Sequence, residues 1–136
     1  MEIARALDFL ASHPRAVLAT NRSDGRPQLS PVVVAVDDDR RVLVSTRETA
    51  IKAKNLLKDP HASLCVMSDA FFGEWVQVDG VAEIVHLPDA LPLLEDYYRR
   101  ISGEHPDWDD YREAMRREQR VLVRISVSHA GPDVSG

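Results

Sequence analysis

Ser45, Thr46, Thr49, Lys52, Lys54 and Asn55 crowd into one short stretch directly after the apolar run Val42–Val44. A strand that feeds a basic helix through a Ser/Thr turn is a natural seat for phosphate. The first turn of a helix leaves backbone N–H groups without partners, and a lysine one turn in adds a full positive charge. On a helical wheel Ala50, Ala53, Leu56 and Leu57 share one stripe, with Lys54 and Lys58 beyond one edge and Lys52 beyond the other. Lys52 is therefore the lysine best placed to meet a phosphate held by Ser45, Thr46 or Thr49. Spacing alone equally suits an amphipathic helix whose lysines are simply solvated.

Two further groups have types that could meet a ligand. Gln28 and Ser30 alternate with Leu29, and Pro31 leads into Val32-Val33-Val34. A proline beside polar strand residues suits an edge or bulge where backbone and side chains meet a planar ring, or merely a strand beginning at the surface. Trp75 could stack on a ring, fill a dimer interface or pack in the core. Other chemistry finds little support. Cys65 is the only cysteine and lies in an apolar run, as a small core residue would. The five histidines lack metal-ligand spacing, and Asp37-Asp38-Asp39 has neither the glycine nor the distal glutamate of a calcium loop. No Gly-x-Ser-x-Gly elbow, P-loop or Gly-x-Gly-x-x-Gly occurs, so a serine hydrolase or an ATPase is unsupported.

The elements that must position these residues follow from periodicity. Ile3, Ala6, Leu7 and Leu10 predict a helix that stops near Ser12-His13-Pro14. Strands are expected at Arg15–Thr20, Gln28–Val36 and Arg41–Ser45, joined by turns at Ser23–Arg26 and Asp37–Arg40, which together read as an antiparallel meander. The basic helix is expected over Thr49–Lys58, stopped by Asp59-Pro60. Strands follow at His61–Ser68 and Glu74–Leu87, the second with Gly80 as a bend or bulge and with Trp75, Gln77 and Asp79 on the face opposite Val76 and Val78. A helix from Pro88 or Asp89 through Ile101, a charged helix over Asp107–Glu118 and a closing strand at Arg120–Val127 complete the chain. Six short strands with helices inserted irregularly argue against a doubly wound sheet and for a small antiparallel β-barrel with helices on its openings. The whole chain, 1–136, reads as one domain, with a flexible tail from about residue 130.

At 136 residues the chain is long enough for a real core. Its formal net charge of −5 makes nucleic acid a poor partner. No apolar run approaches the roughly 20 residues that cross a bilayer, and the N-terminus lacks a signal-peptide core, so the expected location is the cytoplasm, away from membranes.

The combination of Val17-Leu-Ala-Thr20, Asp24-Gly-Arg-Pro-Gln28 and the lysine helix ending Asn55-Leu-Leu-Lys-Asp-Pro60 resembles the pyridoxamine 5′-phosphate oxidase-like flavin/deazaflavin family. The segments Trp75-Val-Gln-Val-Asp-Gly-Val-Ala82, Gly103-Glu-His-Pro-Asp-Trp-Asp-Asp-Tyr111 and Arg120-Val-Leu-Val123 are similar to the branch that uses the deazaflavin coenzyme F420. The resemblance runs to about His129. It implies a six-stranded split β-barrel homodimer, α+β in class, with cofactor sites at the subunit interface. It also implies that Lys52 contacts the cofactor phosphate, that Ser45 and Thr46 line the phosphate and ribityl part, and that Gln28, Ser30, Pro31 and Val32 lie beside the ring. Lys54 and Asn55 would then support the anionic end, and Trp75 would face the partner's cofactor. One departure stands out: related binders often have arginines around this helix, where this chain has Ala50, Lys54 and Leu57. Lysine lacks the bidentate fork of arginine.

The function so implied is hydride transfer from reduced F420 to an unsaturated or quinone-like small molecule, with the proton donor unassigned. An FMN-dependent oxidoreductase of the same fold is the enzyme alternative, and a non-catalytic F420 or flavin carrier is the contrasting class. Pyridoxamine phosphate oxidation is disfavoured by the lack of an evident second set of basic residues for a substrate phosphate.

Overall fold

The computed structural model describes residues 1–133. In chain order the elements are α1 (Ile3–Ser12), β1 (Arg15–Asn21), β2 (Pro27–Val33), β3 (Ala35–Val36), β4 (Val42–Arg47), α2 (Ile51–Lys58), β5 (His61–Met67), β6 (Trp75–Val85), α3 (Ala90–Ser102), α4 (Trp108–Arg117) and β7 (Arg120–Gly131). The strands form one seven-stranded antiparallel sheet in the order β2-β1-β5-β6-β7-β4-β3.

The count is seven rather than the expected six because the strand predicted over Gln28–Val36 changes partner. Up to Val33 it pairs with β1, and from Ala35 it pairs with β4. Val34 sits between, buried, with its N–H donating to the Pro14 carbonyl at 2.7 Å. The two edges of the sheet are thus joined by a single residue, which forces the sheet to curl into a half-closed barrel. β7 also runs further than expected, so that Ala130 and Gly131 pair with β6. Residues 134–136 of the expected tail lie outside the described residues.

The barrel interior is filled from alternating strand positions: Leu18, Leu64, Val66, Val78, Val123 and Ile125, capped by Ala6, Leu7 and Leu10 of α1. Each fully buried aliphatic side chain of this kind contributes about 1.5–3 kcal/mol. A second cluster lies on the opposite side of β4 and β7. There Leu43 and Leu122 meet Ala90 and Leu94 of α3 and Tyr111 and Met115 of α4. Asp107 caps α4 by accepting the Asp110 N–H at 3.1 Å, in line with the acids expected at that helix start. Gly80 marks the expected bulge: the β6–β7 register shifts between Asp79 and Gly80, and a Cβ there would lie 2.3 Å from the Ser126 carbonyl oxygen.

Candidate functional site

The split of the barrel lies between the free edge of β2 and the end of β4, and α2 closes one end of it. α2 starts at Ile51, later than the expected Thr49, with Ala50 as its N-cap and no side chain capping the first turn. Ala53 and Leu56 anchor it to the barrel, while Leu57, expected in the same apolar stripe, is 61% exposed. In a helix this short only a narrow stripe reaches the sheet, so the flanking position turns outward.

A polar relay behind the split fixes the helix. Thr20 on β1 is fully buried; its hydroxyl accepts from Asn55 Nδ2 at 3.1 Å and donates to Gln28 Oε1 at 3.4 Å. Two of the residues expected at the ligand, Gln28 and Asn55, are thereby tied together through β1. That tie satisfies a buried hydroxyl and sets the rotation of α2. With the helix so held, Lys52 Nζ donates to Ser30 Oγ on β2 at 3.4 Å. Lys52 has no ion pair with any carboxylate among the described residues.

Lys52 lines a groove of about 590 Å³ together with Pro31, Val32 and Val33 of β2, Ser45 and Thr46 of β4, and Val17 and Met67 of the neighbouring strands. That volume lies in the range of small-molecule and cofactor sites. Five of the sequence-predicted residues (Lys52, Pro31, Val32, Ser45 and Thr46) therefore converge on it, with Ser30 beside them through the Lys52 contact. Lys54 is exposed outside the groove, and Trp75, 39% exposed, is not among its lining residues but lies directly across the β5–β6 ladder from Met67, which is.

Three polar groove residues were not singled out in the sequence: Arg15, Tyr97 and Arg120. Tyr97 reaches from α3 to donate its hydroxyl to the Val33 carbonyl at 2.7 Å, and its phenol oxygen in turn accepts from the Ser45 N–H. The phenol thus links the β2 edge to the β4 edge across the split. Burial pushes it above the ordinary tyrosine value, opposed by the Ser45 N–H and the Arg120 charge. It therefore stays a neutral hydrogen-bond donor around pH 7. In the sequence Tyr97 is simply one residue of the helix expected from Pro88 or Asp89 through Ile101, next to a second tyrosine, and no local signal singles it out.

The electrostatics of the groove run against those of the chain. In a protein of net charge −5, its lining carries Lys52, Arg15 and Arg120 and no carboxylate. Such a concentration of one sign in a recess focuses an attractive field on anions. Hydroxyls at Ser45 and Thr46, with Ser30 beside Lys52, and the free β2 edge add neutral donors and acceptors. This set suits a ligand that carries an anionic group. A recess of about 460 Å³ beside α1, lined by Arg5, Phe9, Glu74 and Trp75, mixes both signs of charge and lacks such a set. The histidines are dispersed: His13 stacks on Phe9, His61 pairs with Asp59, His86 with Glu48, and His105 packs among Tyr98, Trp108 and Tyr111. Among the described residues no helix is long and apolar enough to cross a membrane.

Comparison with known proteins agrees with this geometry. The chain is similar in structure to the conserved hypothetical protein Rv2991 from Mycobacterium tuberculosis, with 29% identity, a TM-score of 0.74, and coverage of 100% of this chain and 92% of that one. An F420 reductase matches with 21% identity and a TM-score of 0.71, covering 91% of this chain and 94% of its own. The heme storage protein HutZ from Vibrio cholerae has the same fold, with 16% identity, a TM-score of 0.68, and coverage of 96% and 94%. The fold thus serves both a reductase and a storage protein. The sequence model of pyridoxamine 5′-phosphate oxidase matches residues 4–131, and the chain belongs to that family.

Proposed function

We propose that the groove seats a ribityl-phosphate cofactor, coenzyme F420 with FMN as the alternative, and that the protein is an oxidoreductase acting on an unsaturated or quinone-like small molecule. The observation that carries this reading is Lys52: a groove-lining cation without an acid partner, beside hydroxyls and at the uncapped start of α2. Membership of a family named for a phosphate-ester oxidase and likeness to an F420 reductase support it.

In this reading Lys52, Ser30, Ser45 and Thr46 hold the phosphate and ribityl portion, and Pro31 and Val32 present the β2 backbone to the ring. Gln28 and Asn55 act through Thr20, keeping Lys52 aimed. Lys54 adds charge outside the groove, toward an anionic tail. When bound, the reduced cofactor supplies the hydride, while the protein positions it and shapes the acceptor's approach. The groove opens beside an uncovered apolar face formed by Leu29 and Val33 of β2 and Trp75 of β6. A second copy of the chain would cover that face, completing the groove and bringing its Trp75 to the ring, so the working unit is a homodimer.

Turnover tests the enzymatic claim. Reduced F420, and separately reduced FMN, are mixed with the protein and a panel of enones and quinones, and cofactor reoxidation is followed by absorbance. Protein-dependent reoxidation with F420 supports the proposal, and preference for FMN selects the alternative. Tight binding without turnover of any acceptor makes the protein a carrier.

A further inference from the structure

Lys52 accounts for one of the three cations in the groove. The other two line the groove toward the Val33 end of β2. Tyr97 is bonded to the carbonyl of Val33, and Arg15 lies directly across the β1–β2 ladder from Val33. Lys52 is bonded three residues earlier, at Ser30, which is about 10 Å along a strand. Arg120 enters the same end of the groove from the start of β7, where its charge bears on the Tyr97 phenol.

The guanidinium of Arg120 is oriented but not neutralised. Its Nε and Nη2 both donate to Glu118 Oε1, at 3.1 and 2.9 Å, and Arg47 Nη2 approaches the same oxygen at 3.5 Å. Two guanidinium groups thus share one carboxylate, and Nη1 of Arg120 has no partner among the described residues. Arg15 has only a 3.8 Å contact with Asp69, and both side chains are largely exposed. The Tyr97 proton is committed to Val33, so Tyr97 positions this end of the groove while the arginines supply its charge.

We propose that Arg15 and Arg120 form a second anion-binding position toward the Val33 end of the groove, apart from the Lys52–Ser30 contact, and that it receives a carboxylate or phosphate of the acceptor substrate. Arginine forks match both groups in a bidentate manner. The acceptor class narrows from any unsaturated molecule to one bearing an anionic group. The second position stands on its own geometry; only the identity of its occupant rests on the proposed function.

The test is an NMR titration of the full chain with inorganic phosphate. Wild type is expected to show two separable sets of shifts, one around Ser30 and Lys52 and one around Val33 and Arg120. Arg15→Gln with Arg120→Gln should weaken the second set alone by about tenfold or more, the size of a lost charge-assisted contact. Lys52→Gln should remove the first set alone. Phosphate shifts that survive intact in the double arginine variant overturn the inference, as does loss of both sets with Lys52→Gln. Loss of the arginine set with no response at Lys52 upholds the second position and sinks the proposed phosphate seat instead. Arg15→Lys with Arg120→Lys keeps the charge and guards against a folding defect, and should retain part of the affinity. In turnover, the double variant should raise KM for a carboxylated enone by a larger factor than KM for its uncharged analogue. If F420 affinity falls in the double variant while FMN affinity does not, the position holds the cofactor's own carboxylates and the assignment to the acceptor fails.

Discussion

On the β4–β7 half of the sheet, the outward residues Leu43 and Leu122 disappear beneath α3 and α4. On the β1–β2 half, the outward residues Leu29 and Val33 have nothing over them and remain 61% and 40% exposed. Both halves carry apolar side chains on this surface, so the alternation of the strands does not distinguish them. The covered half is sealed in detail: Tyr98, Trp108 and Tyr111 pack with ring centroids 5.2–5.8 Å apart, Arg99 lies over Trp108 at 4.3 Å, and the Tyr111 hydroxyl donates to the Leu94 carbonyl at 2.8 Å. The uncovered half borders the cationic groove. An apolar surface left open next to a charged recess is the kind of place where a partner or ligand docks, and the contrast separates the part of the outer surface that packs within the chain from the part proposed to bind.

The contrast can be broken most directly through stability. Leu94→Ala, in the sealed half, should cost about 2–5 kcal/mol by denaturant unfolding. Leu29→Ala, in the open half, should change stability in dilute solution by no more than about 0.5 kcal/mol. Equal losses would erase the distinction. Association sharpens the same contrast: the combined Leu29→Asp and Val33→Asp variant should shift the protein from dimer to monomer by light scattering while its circular dichroism stays unchanged. A wild-type monomer would remove the proposed second copy.

A smaller effect distinguishes the halves by pH. Burial, with the nearby tyrosines and Glu95 adding to it, pushes the Tyr111 hydroxyl up to about 12 from 10.0. The native state therefore keeps a proton that the unfolded chain releases, and stability present below pH 10 should fall as pH rises from about 10 to about 12. Tyr111→Phe should flatten that decline; an unchanged slope would show that the sealed cluster is not its source. Tyr97→Phe should cost about 1 kcal/mol for one hydrogen bond. Because that bond crosses the split, amide exchange should quicken at Ser45 and along β2 and leave α4 unaffected.

Much of the scaffold was legible because its signals are local. The apolar spacing of Ile3, Ala6, Leu7 and Leu10 gave α1, Asp59-Pro60 ended α2, and Gly80 marked the bulge in β6. The break at Val34 was not legible, since it depends on which partner each half of the strand finds, and a run of valines is compatible with either. The site divided in the same way. Lys52 could be picked from its helical phase, and Ser45, Thr46, Pro31 and Val32 from their place beside it. Arg15 and Arg120 join the groove only through strand pairing and Tyr97 only through helix packing, with partners as distant as Val33 from Tyr97. A charged residue at the first position of a strand looks the same whether it faces solvent or a ligand. Arg15 and Arg120 come to line one groove only in the folded chain.

The account rests on Lys52 as the phosphate contact of the open half, and calorimetry tests it most directly. F420 and FMN are titrated into wild type and into Lys52→Ala, with Lys54→Ala as the control from the exposed side of the same helix. The expected result is a loss of about tenfold or more for both cofactors with Lys52→Ala, the scale of one charge-assisted contact, and little change with Lys54→Ala. Unchanged affinity of Lys52→Ala for both cofactors would contradict the phosphate seat.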